Sequence, residues 1–558
     1  MKYFSHWLLE PQNMPAPWGF DSWLTLWTVL FVALLNAVML TLIAYRLLQV
    51  IQLSGYKIKG LFAWFKDTKR SYFWRLVMLS FLSVAAFMVT NVLLESFFKY
   101  KIMTYTGLLF YFAFLTVFVV NISQTSKKTP LKYTRRMNRL IVVTAFIIFI
   151  VSFALTSVSA VYLSYFTFGA LGLTPILLPL FVIMAFGVTY PFENANNKKY
   201  EKRAVQKLAE RKDIIKIGIT GSYGKTSVKN ILEVLLSQKY KVCASPYSYN
   251  TPLGLSKTIL EQLKPTDEVF IAEMGARNKG DIAYLVQMIH PQYGLLTGVG
   301  NQHMSTFGTE QVLKDTKFEL LQGVEKGLCV VNTESAGALE LYERAKGEKI
   351  ATNINDTQGF AYISNIKTCN EGSKFVLHID NQKVSCETKL LGKHNISNIL
   401  LCSVLAYKLG VTVEQIQKAI ETLNPTAHRL AIVPSGNALT VIDDAYNGCV
   451  EGASAALEVL KEFSGKKIVI TPGLVELGEE EFNSNFEFAI HMAKVCDYVI
   501  INGTTNYEAL YHGLLFGGFD EKKIFRASTV SQSVEILNTI AGVGDVVLFE
   551  NDLPDNYA

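Results

Sequence analysis

A chain of 558 residues is too long for one ordinary domain. Half of it is apolar and its mean hydropathy is +0.25, which excludes a uniformly soluble composition. The net charge of +6 sits in short basic runs between apolar blocks, a pattern that argues for membrane-flanking charge and against nucleic-acid binding.

The first 18 residues are mixed in character and contain Glu10, Pro11, Pro15 and Pro17, so they do not read as a signal peptide. Crossing the hydrocarbon core takes roughly 20 apolar residues. Five stretches qualify, at about 24–47, 76–97, 103–122, 140–162 and 171–188, with a re-entrant pair as the alternative for the last two. Basic residues crowd three connections: Lys57 to Arg75, Lys127 to Arg139, and Lys198 to Arg203. An odd number of spans puts all three on one side. The positive-inside rule then predicts an external N-terminus, with the chain beyond ~190 in the cytoplasm. The span interiors hold no acidic or basic residue, so an anchor or assembly platform is expected rather than a transport path. Asn36 and Asn91 read as contacts between helices. The aromatic and basic segment 52–69 reads as lying along the inner interface.

Residues 191–213 predict a basic helical linker. Strands and helices then alternate, with strands at 214–220, 269–273, 293–298 and 328–332, the pattern of a mainly parallel sheet covered by helices. Residues 358–390 predict three antiparallel strands. Asn424-Pro425-Thr426 reads as a hinge. A second alternating series follows, with strands at 439–443, 467–471, 498–502, 523–526 and 545–549. The expected architecture is a multi-pass α-helical membrane domain (1–190), the linker, and two α/β domains: a P-loop ATP-binding central domain (214–427) and a Rossmann-like C-terminal domain (428–558). All seven cysteines lie in the polar part and none forms Cys-x-x-Cys, which argues for free thiols.

The strand at 214–220 runs into Gly221-Ser222-Tyr223-Gly224-Lys225-Thr226-Ser227 and then a helix. That order aims backbone N–H groups and the positive helix end at phosphates. Lys225 can reach the β/γ phosphates, and the Thr226 hydroxyl can hold Mg²⁺. The strict G-x-x-x-x-G-K-[ST] pattern fails, because its first glycine falls on Ile219.

Thr-Gly-Ser-Tyr-Gly-Lys-Thr resembles the phosphate loop of Mur ligases and folylpolyglutamate synthetases, and the likeness to the Mur ligase family continues in order over about 214–550. Glu273 in Ala-Glu-Met-Gly-Ala resembles the acidic Mg²⁺ ligand, and His303 in Gly-Asn-Gln-His the histidine on a second Mg²⁺. Lys317 falls where the family has a carbamylated lysine. Gly392-Lys-His-Asn-Ile-Ser-Asn398 is similar to the element whose asparagines, here Asn395 and Asn398, meet adenine. Arg429 resembles a phosphate-contacting arginine, and the segment 443–447, with Asp444, a ribose-contacting one. Within the family, 443–447 and Val475-Glu-Leu-Gly-Glu479 look most like the D-alanyl-D-alanine-adding type. The resemblance implies an ATP-dependent ligase that activates a carboxylate as an acyl phosphate. It implies two Mg²⁺ ions, and as partners a cell-wall precursor and an amino acid or dipeptide. Lys225, Glu273, His303 and Lys317 are the expected catalytic set, with Thr226, Glu273, His303 and Lys317 on the metals. Gly221, Ser222, Gly224, Ser227, Asn395, Asn398, Arg429 and Asp444 are expected on the nucleotide.

The chain also departs from the family. The membrane segment stands where a typical member has a UDP-binding domain. The family's Asn-Pro appears as Cys449-Val450, and its late Lys-Gly-Ser as Glu550-Asn551-Asp552. These departures admit a lipid-linked or poly-γ-glutamate-type acceptor, or a scaffold that binds nucleotide without turnover. The four residues Lys225, Glu273, His303 and Lys317 argue against the scaffold, which needs no second metal site.

Overall fold

The computed structural model describes residues 23–67, 71–94, 100–124, 130–162, 170–300, 304–324, 326–433, 435, 439–446 and 449–550. They fall into two compact units that divide between Asn196 and Asn197.

The first unit is helical: Trp23–Ile43, Tyr45–Leu53, Ile58–Asp67, Ser71–Leu94, Tyr100–Gln124, Arg135–Tyr162 and the start of Leu178–Glu210. Four helices are long and apolar enough to cross a membrane, and a fifth, shorter apolar stretch spans Thr106–Asn121. Among the described residues all five expected stretches contain helix, with two differences from the expected bounds; residues 95–97 of the second lie outside the described residues. The first breaks at Ala44, where one helix gives way to the next. The last begins only at Leu178, because residues 173–177 turn around Pro175, and it then runs without interruption to Glu210. Pro191 lies inside that helix. A proline there removes one backbone donor, but the charged run expected as a separate helical linker continues the same helix.

A buried polar knot ties the helices together. The Asn36 amide donates to Ser152 Oγ at 2.8 Å and accepts from the Tyr111 hydroxyl at 2.7 Å. Tyr111 also meets Thr174 Oγ1 at 3.1 Å. Asn36 thus acts as the expected contact between helices; the side chain of Asn91 lies outside the described residues.

The second unit contains three sheets. A six-stranded parallel sheet has the order β2-β3-β1-β4-β5-β6: Val242–Ala244, Val269–Glu273, Ile215–Thr220, Tyr293–Leu296, Leu328–Asn332 and Glu348–Thr352. The strand β3 reads Val-Phe-Ile-Ala-Glu and is buried throughout, as a strand covered on both faces must be. One face packs on helices Lys225–Leu236, Lys393–Lys408 and Val413–Glu421. The other packs on Asp281–Ile289 and Glu310–Gly323, and on Ala204 and Leu208 of the long helix. Lys207, from that same helix, donates to the carbonyls of Ile259, Leu260 and Leu263 at 2.6, 3.3 and 2.9 Å. It thereby caps the C-terminal end of Pro252–Glu261, where orphan carbonyls favour a cation.

The strands β7 (Ala361–Cys369), β8 (Gly372–Ile379) and β9 (Gln382–Thr388) form the expected antiparallel meander. The last sheet has the order β10-β11-β15-β12-β13-β14: Ala431–Val433, Thr440–Asp444, Val546–Glu550, Lys467–Thr471, Tyr498–Asn502 and Ile524–Ala527. Only β10 is antiparallel. The sequence did not suggest β2, β6 or β10, three edge strands; β2 and β10 have three residues each, too few to show a period.

Replacing Asn36 by Leu strands the Ser152 hydroxyl in an apolar core and leaves the Tyr111 hydroxyl with Thr174 alone, a loss of about 1–3 kcal/mol. Denaturant unfolding of the full chain in detergent should show that loss; an unchanged midpoint would mean that the knot is not holding the helices.

Candidate active site

The phosphate loop takes its shape from close contacts. Gly221 has φ 153°, and a Cβ there would lie 2.0 Å from Thr297 Oγ1 at the end of the neighbouring strand β4. Gly224 is left-handed, at φ 75°, and starts the helix Lys225–Leu236. The Ser222 N–H donates to Gly298 O at 2.8 Å and its hydroxyl to Gly300 O at 2.9 Å. The Lys225 ammonium lies across the loop, on the carbonyls of Gly221 (2.7 Å) and Ser222 (2.8 Å). Burial pushes its pKa down to about 8, opposed by Glu273 and helped by Arg429.

The end of β3 brings Glu273 beside this loop, 1% exposed. Its carboxylate accepts from Thr226 Oγ1 at 3.1 Å and from Lys229 Nζ at 3.2 Å, both on Oε2, and from Asn250 Nδ2 at 3.1 Å on Oε1. The same Lys229 ammonium donates to Tyr247 O. Neither Lys229 nor Asn250 was expected. A signal for Lys229 exists, since it lies on the apolar stripe of its helix with Leu232 and Leu236. Asn250 has none, because Asn-Thr-Pro before a helix reads as a helix start.

Lys317, 3% exposed, lies on the helix Glu310–Gly323 with its ammonium 5.8 Å from the Phe307 ring. Burial holds its pKa well below the usual lysine range, and the nearby Lys225 charge lowers it further. On the same helix Glu319 accepts from the N–H groups of Gly280 and Ala283, each at 2.8 Å, fixing the start of Asp281–Ile289. His303 lies outside the described residues.

Beside the loop is a cavity of about 160 Å³, lined on its polar side by Ser227, Asn230, Asn395 and Arg429 and on its apolar side by Ile231 and Leu423, among others. Asn398 stands next to Gly224, where a Cβ would lie 3.2 Å from its Oδ1. Asn395 donates to Leu391 O at 2.9 Å. Arg429 belongs to a short segment with unusual backbone, since His428 and Leu430 both have positive φ, at 60° and 46°. Three contacts hold that segment. His428 meets Asp443 at 2.7 Å, Leu430 N–H donates to Asp444 Oδ1 at 3.1 Å, and Tyr446 N–H donates to His428 O at 3.1 Å. The Arg429 guanidinium lies 5.5 Å from the Tyr446 ring.

The structure thus brings Gly221, Ser222, Gly224, Lys225, Thr226, Glu273, Lys317 and Asn398 to one centre, with Ser227, Asn395 and Arg429 at the adjoining cavity. Asp444 lies one step back. It is 2% exposed, holds Leu430, and is in register with Glu550 across β11 and β15.

Among the described residues no group of three or more His, Cys, Asp and Glu side chains converges as a metal cluster. The Thr226 hydroxyl and Glu273 carboxylate are nevertheless hard oxygen donors of the kind Mg²⁺ prefers beside phosphates.

Two family models match the chain: the Mur ligase middle domain over residues 219–406, and the Mur ligase, glutamate ligase domain, over 428–550. Relatives include the UDP-N-acetylmuramoyl-tripeptide–D-alanyl-D-alanine ligase of Mycobacterium tuberculosis H37Rv, 29% identical over 313 residues, 54% of this chain and 61% of the relative. The enzyme of the same name from Bacillus subtilis 168 is 26% identical over 343 residues, 60% of this chain and 72% of the relative. The chain therefore spans about three fifths of the length of the mycobacterial relatives it matches. Among solved structures, MurF ligase from Thermotoga maritima in complex with ADP superposes with a TM-score of 0.58 at 25% identity, covering 64% of this chain and 80% of that one. MurF from Acinetobacter baumannii gives 0.58 at 22%, covering 64% and 77%, a likeness of fold.

The Lys229–Glu273 pair is buried on both sides, so removing one partner leaves an uncompensated charge, at a cost of about 3–5 kcal/mol. Lys229→Met should lower the unfolding midpoint accordingly, and adding Glu273→Gln should recover part of it. If the double variant is as unstable as the sum of the singles, the two groups do not act as a pair.

Proposed function

Because the chain belongs to the Mur ligase family through residues 219–406 and 428–550, more than half its length, we propose that it is an ATP-dependent carboxylate–amine ligase of peptidoglycan precursor synthesis. The type it resembles adds D-alanyl-D-alanine. The observation that carries this reading is the joining of the phosphate loop to Glu273 through Thr226 and Lys229.

In this reading the ATP phosphates lie along Gly221–Thr226, where the loop N–H groups and the start of the helix Lys225–Leu236 face them. Lys225 leaves the carbonyls of Gly221 and Ser222 for a phosphate oxygen, exchanging a neutral partner for an anionic one. The cavity beside Asn395 and Arg429 takes the nucleoside. A substrate carboxylate oxygen attacks the γ-phosphorus, and ADP leaves with the electron pair of the broken P–O bond. An amine then attacks the acyl carbon of the acyl phosphate and expels phosphate, leaving an amide. Mg²⁺ held by Thr226 and Glu273, and a second ion on His303 and a carbamate of Lys317, would supply positive charge along the transferring phosphoryl. The Lys317 environment favours that modification: burial keeps the amine neutral, and only a free amine adds CO₂.

The apolar helices preceding this unit support a membrane anchor, with the ligase on the cytoplasmic side. They also favour a second reading of the acceptor, as a lipid-linked wall intermediate that the bilayer presents. A panel of nucleotide-linked and lipid-linked muramyl peptides with D-alanyl-D-alanine separates the two. ADP release should need both carboxylate and amine, and Lys225→Ala should abolish it. Turnover on the nucleotide-linked tripeptide alone rejects the lipid-linked reading, and nucleotide binding without turnover on any member rejects both.

The depressed pKa of Lys225 gives the ADP affinity a sign with pH. The side chain is cationic below about 8 and neutral above it, so affinity should fall as pH rises through that value. Lys225→Arg, which stays charged, should flatten the fall in a calorimetric titration; an unchanged slope would place the titrating group elsewhere.

A further inference from the structure

The basic end of the first unit is built more rigidly than membrane-flanking charge requires. The helix Tyr45–Leu53 runs into Ser54-Gly55-Tyr56, and both Gly55 and Tyr56 are left-handed, at φ 66° and 60°. Glycine adopts that conformation freely, whereas a tyrosine adopts it at a cost of about 1 kcal/mol or more. Four contacts hold Tyr56 there. Its N–H donates to Ile51 O at 2.8 Å, and its hydroxyl meets Thr134 Oγ1 at 3.3 Å and Gln52 Nε2 at 3.5 Å. Its ring lies 3.8 Å beneath the Arg136 guanidinium.

The facing loop is pinned just as closely. Gln52 bonds both backbone groups of Lys132, accepting from its N–H at 2.8 Å and donating to its carbonyl at 2.7 Å. The Tyr45 hydroxyl accepts from Leu131 N–H at 2.9 Å. Arg136 lies over the Tyr56 ring, and Lys57, Lys132 and Arg135 belong to the two segments that these contacts join. The carboxylate of Glu193 is taken by Arg139 at 2.5 Å. None of these four cations has a carboxylate within ion-pair distance among the described residues, although Arg136 lies in the field of Glu193. Directly after the turn comes the helix Ile58–Asp67, which carries Phe62 exposed and Trp64 edge-on to Phe65 and Tyr72, the aromatic content of a segment lying at a membrane surface.

We propose that this cluster is a seat for the phosphate of an anionic lipid headgroup. The inference rests on the reading that the apolar helices cross a membrane. A guanidinium held over a ring is fixed in place while its N–H groups can still pair with a phosphate, and Lys57, Lys132 and Arg135 on the same two segments add charge. Diffuse attraction to an anionic surface needs none of this order. The left-handed tyrosine and the doubly bonded Lys132 backbone are intelligible as the fixing of one phosphate position.

The test uses the full chain in nanodiscs of equal parts phosphatidylcholine and phosphatidylglycerol, followed by native mass spectrometry of the lipids retained. Wild type should retain phosphatidylglycerol in preference, and Lys132→Ala with Arg136→Ala should cut the preference roughly tenfold. Tyr56→Gly keeps the left-handed turn without its strain while removing the ring and hydroxyl contacts, so the turn should persist and the preference should be lost. Lys198→Ala with Lys199→Ala, basic residues outside the cluster, should leave it intact. Equal retention of the two lipids by wild type overturns the seat. So does an equal loss from the Lys198/Lys199 control, or full preference in the Tyr56→Gly variant. A full chain that does not enter phosphatidylcholine nanodiscs at all fails earlier, and takes the membrane reading down together with the seat.

Discussion

The carboxylate of Glu273 is the point at which the α/β unit becomes a site. It ends the most deeply buried strand of the central sheet, so its position follows from the packing of that whole layer. Through Oε2 it holds Thr226 and Lys229, both on the helix that starts at the phosphate loop. Through Oε1 it holds Asn250, whose carbonyl in turn accepts from Gly275 N–H just beyond β3. Lys229 extends the network to Tyr247, and β3 is anchored from behind by Ser245. A buried carboxylate is tolerable only with such partners. The same partners bring the loop after β2, the phosphate loop and β3 to one place.

The elements around the two six-stranded sheets of this unit meet at the same centre. Asn230, on the phosphate-loop helix, donates to Thr426 Oγ1 at 3.0 Å, immediately before Arg429. A Cβ on Gly300 would lie 2.2 Å from Glu451 Oε1, so the loop after β4 and the helix Val450–Lys461 approach as closely as a glycine permits. Cys449 and Arg429, from the second sheet's side, both act on the charge of Lys225. A ligand on the phosphate loop is therefore within the field of both halves. The left-handed His428 and Leu430 lie at the joint between them, where a backbone under strain is most useful.

Most of this was legible in the sequence because the informative features are local. The phosphate loop is contiguous, with a strand before it and a helix after it. Long strands such as β3 and β12 announce themselves by their apolar runs, and the five apolar stretches by their length. What escaped was what depends on distant parts of the chain. Lys229 looked like one more basic residue until Glu273, 44 positions later, arrived beside it. The continuity of the helix through Pro191 also escaped: proline removes a single backbone bond, and residues 178–190 and 192–210 remain helical on either side. The short edge strands β2 and β10 exist because a neighbour offers them a ladder, which no window of three residues can reveal.

Glu550 is the most costly acid of the C-terminal sheet. It occupies the end of β15, in register with Asp444 on β11, and is fully buried. Its nearest polar neighbour is the Asp444 carboxyl, another acid. Burial first, and the neighbouring Asp444 second, hold its pKa well above the usual carboxylate range. A proton retained there keeps two adjacent carboxyls from facing each other as anions. A group whose folded pKa is raised binds its proton more tightly when folded, so this pair opposes stability increasingly as pH rises above the unfolded value. Such a cost is not needed to close a sheet, since an apolar pair at the same register would close it without penalty. The pair lies at the C-terminal ends of parallel strands, the edge from which open α/β sheets present their ligand-binding groups. The fold thus keeps, at the ligand-facing edge of this sheet, an acid whose ionisation its own burial opposes.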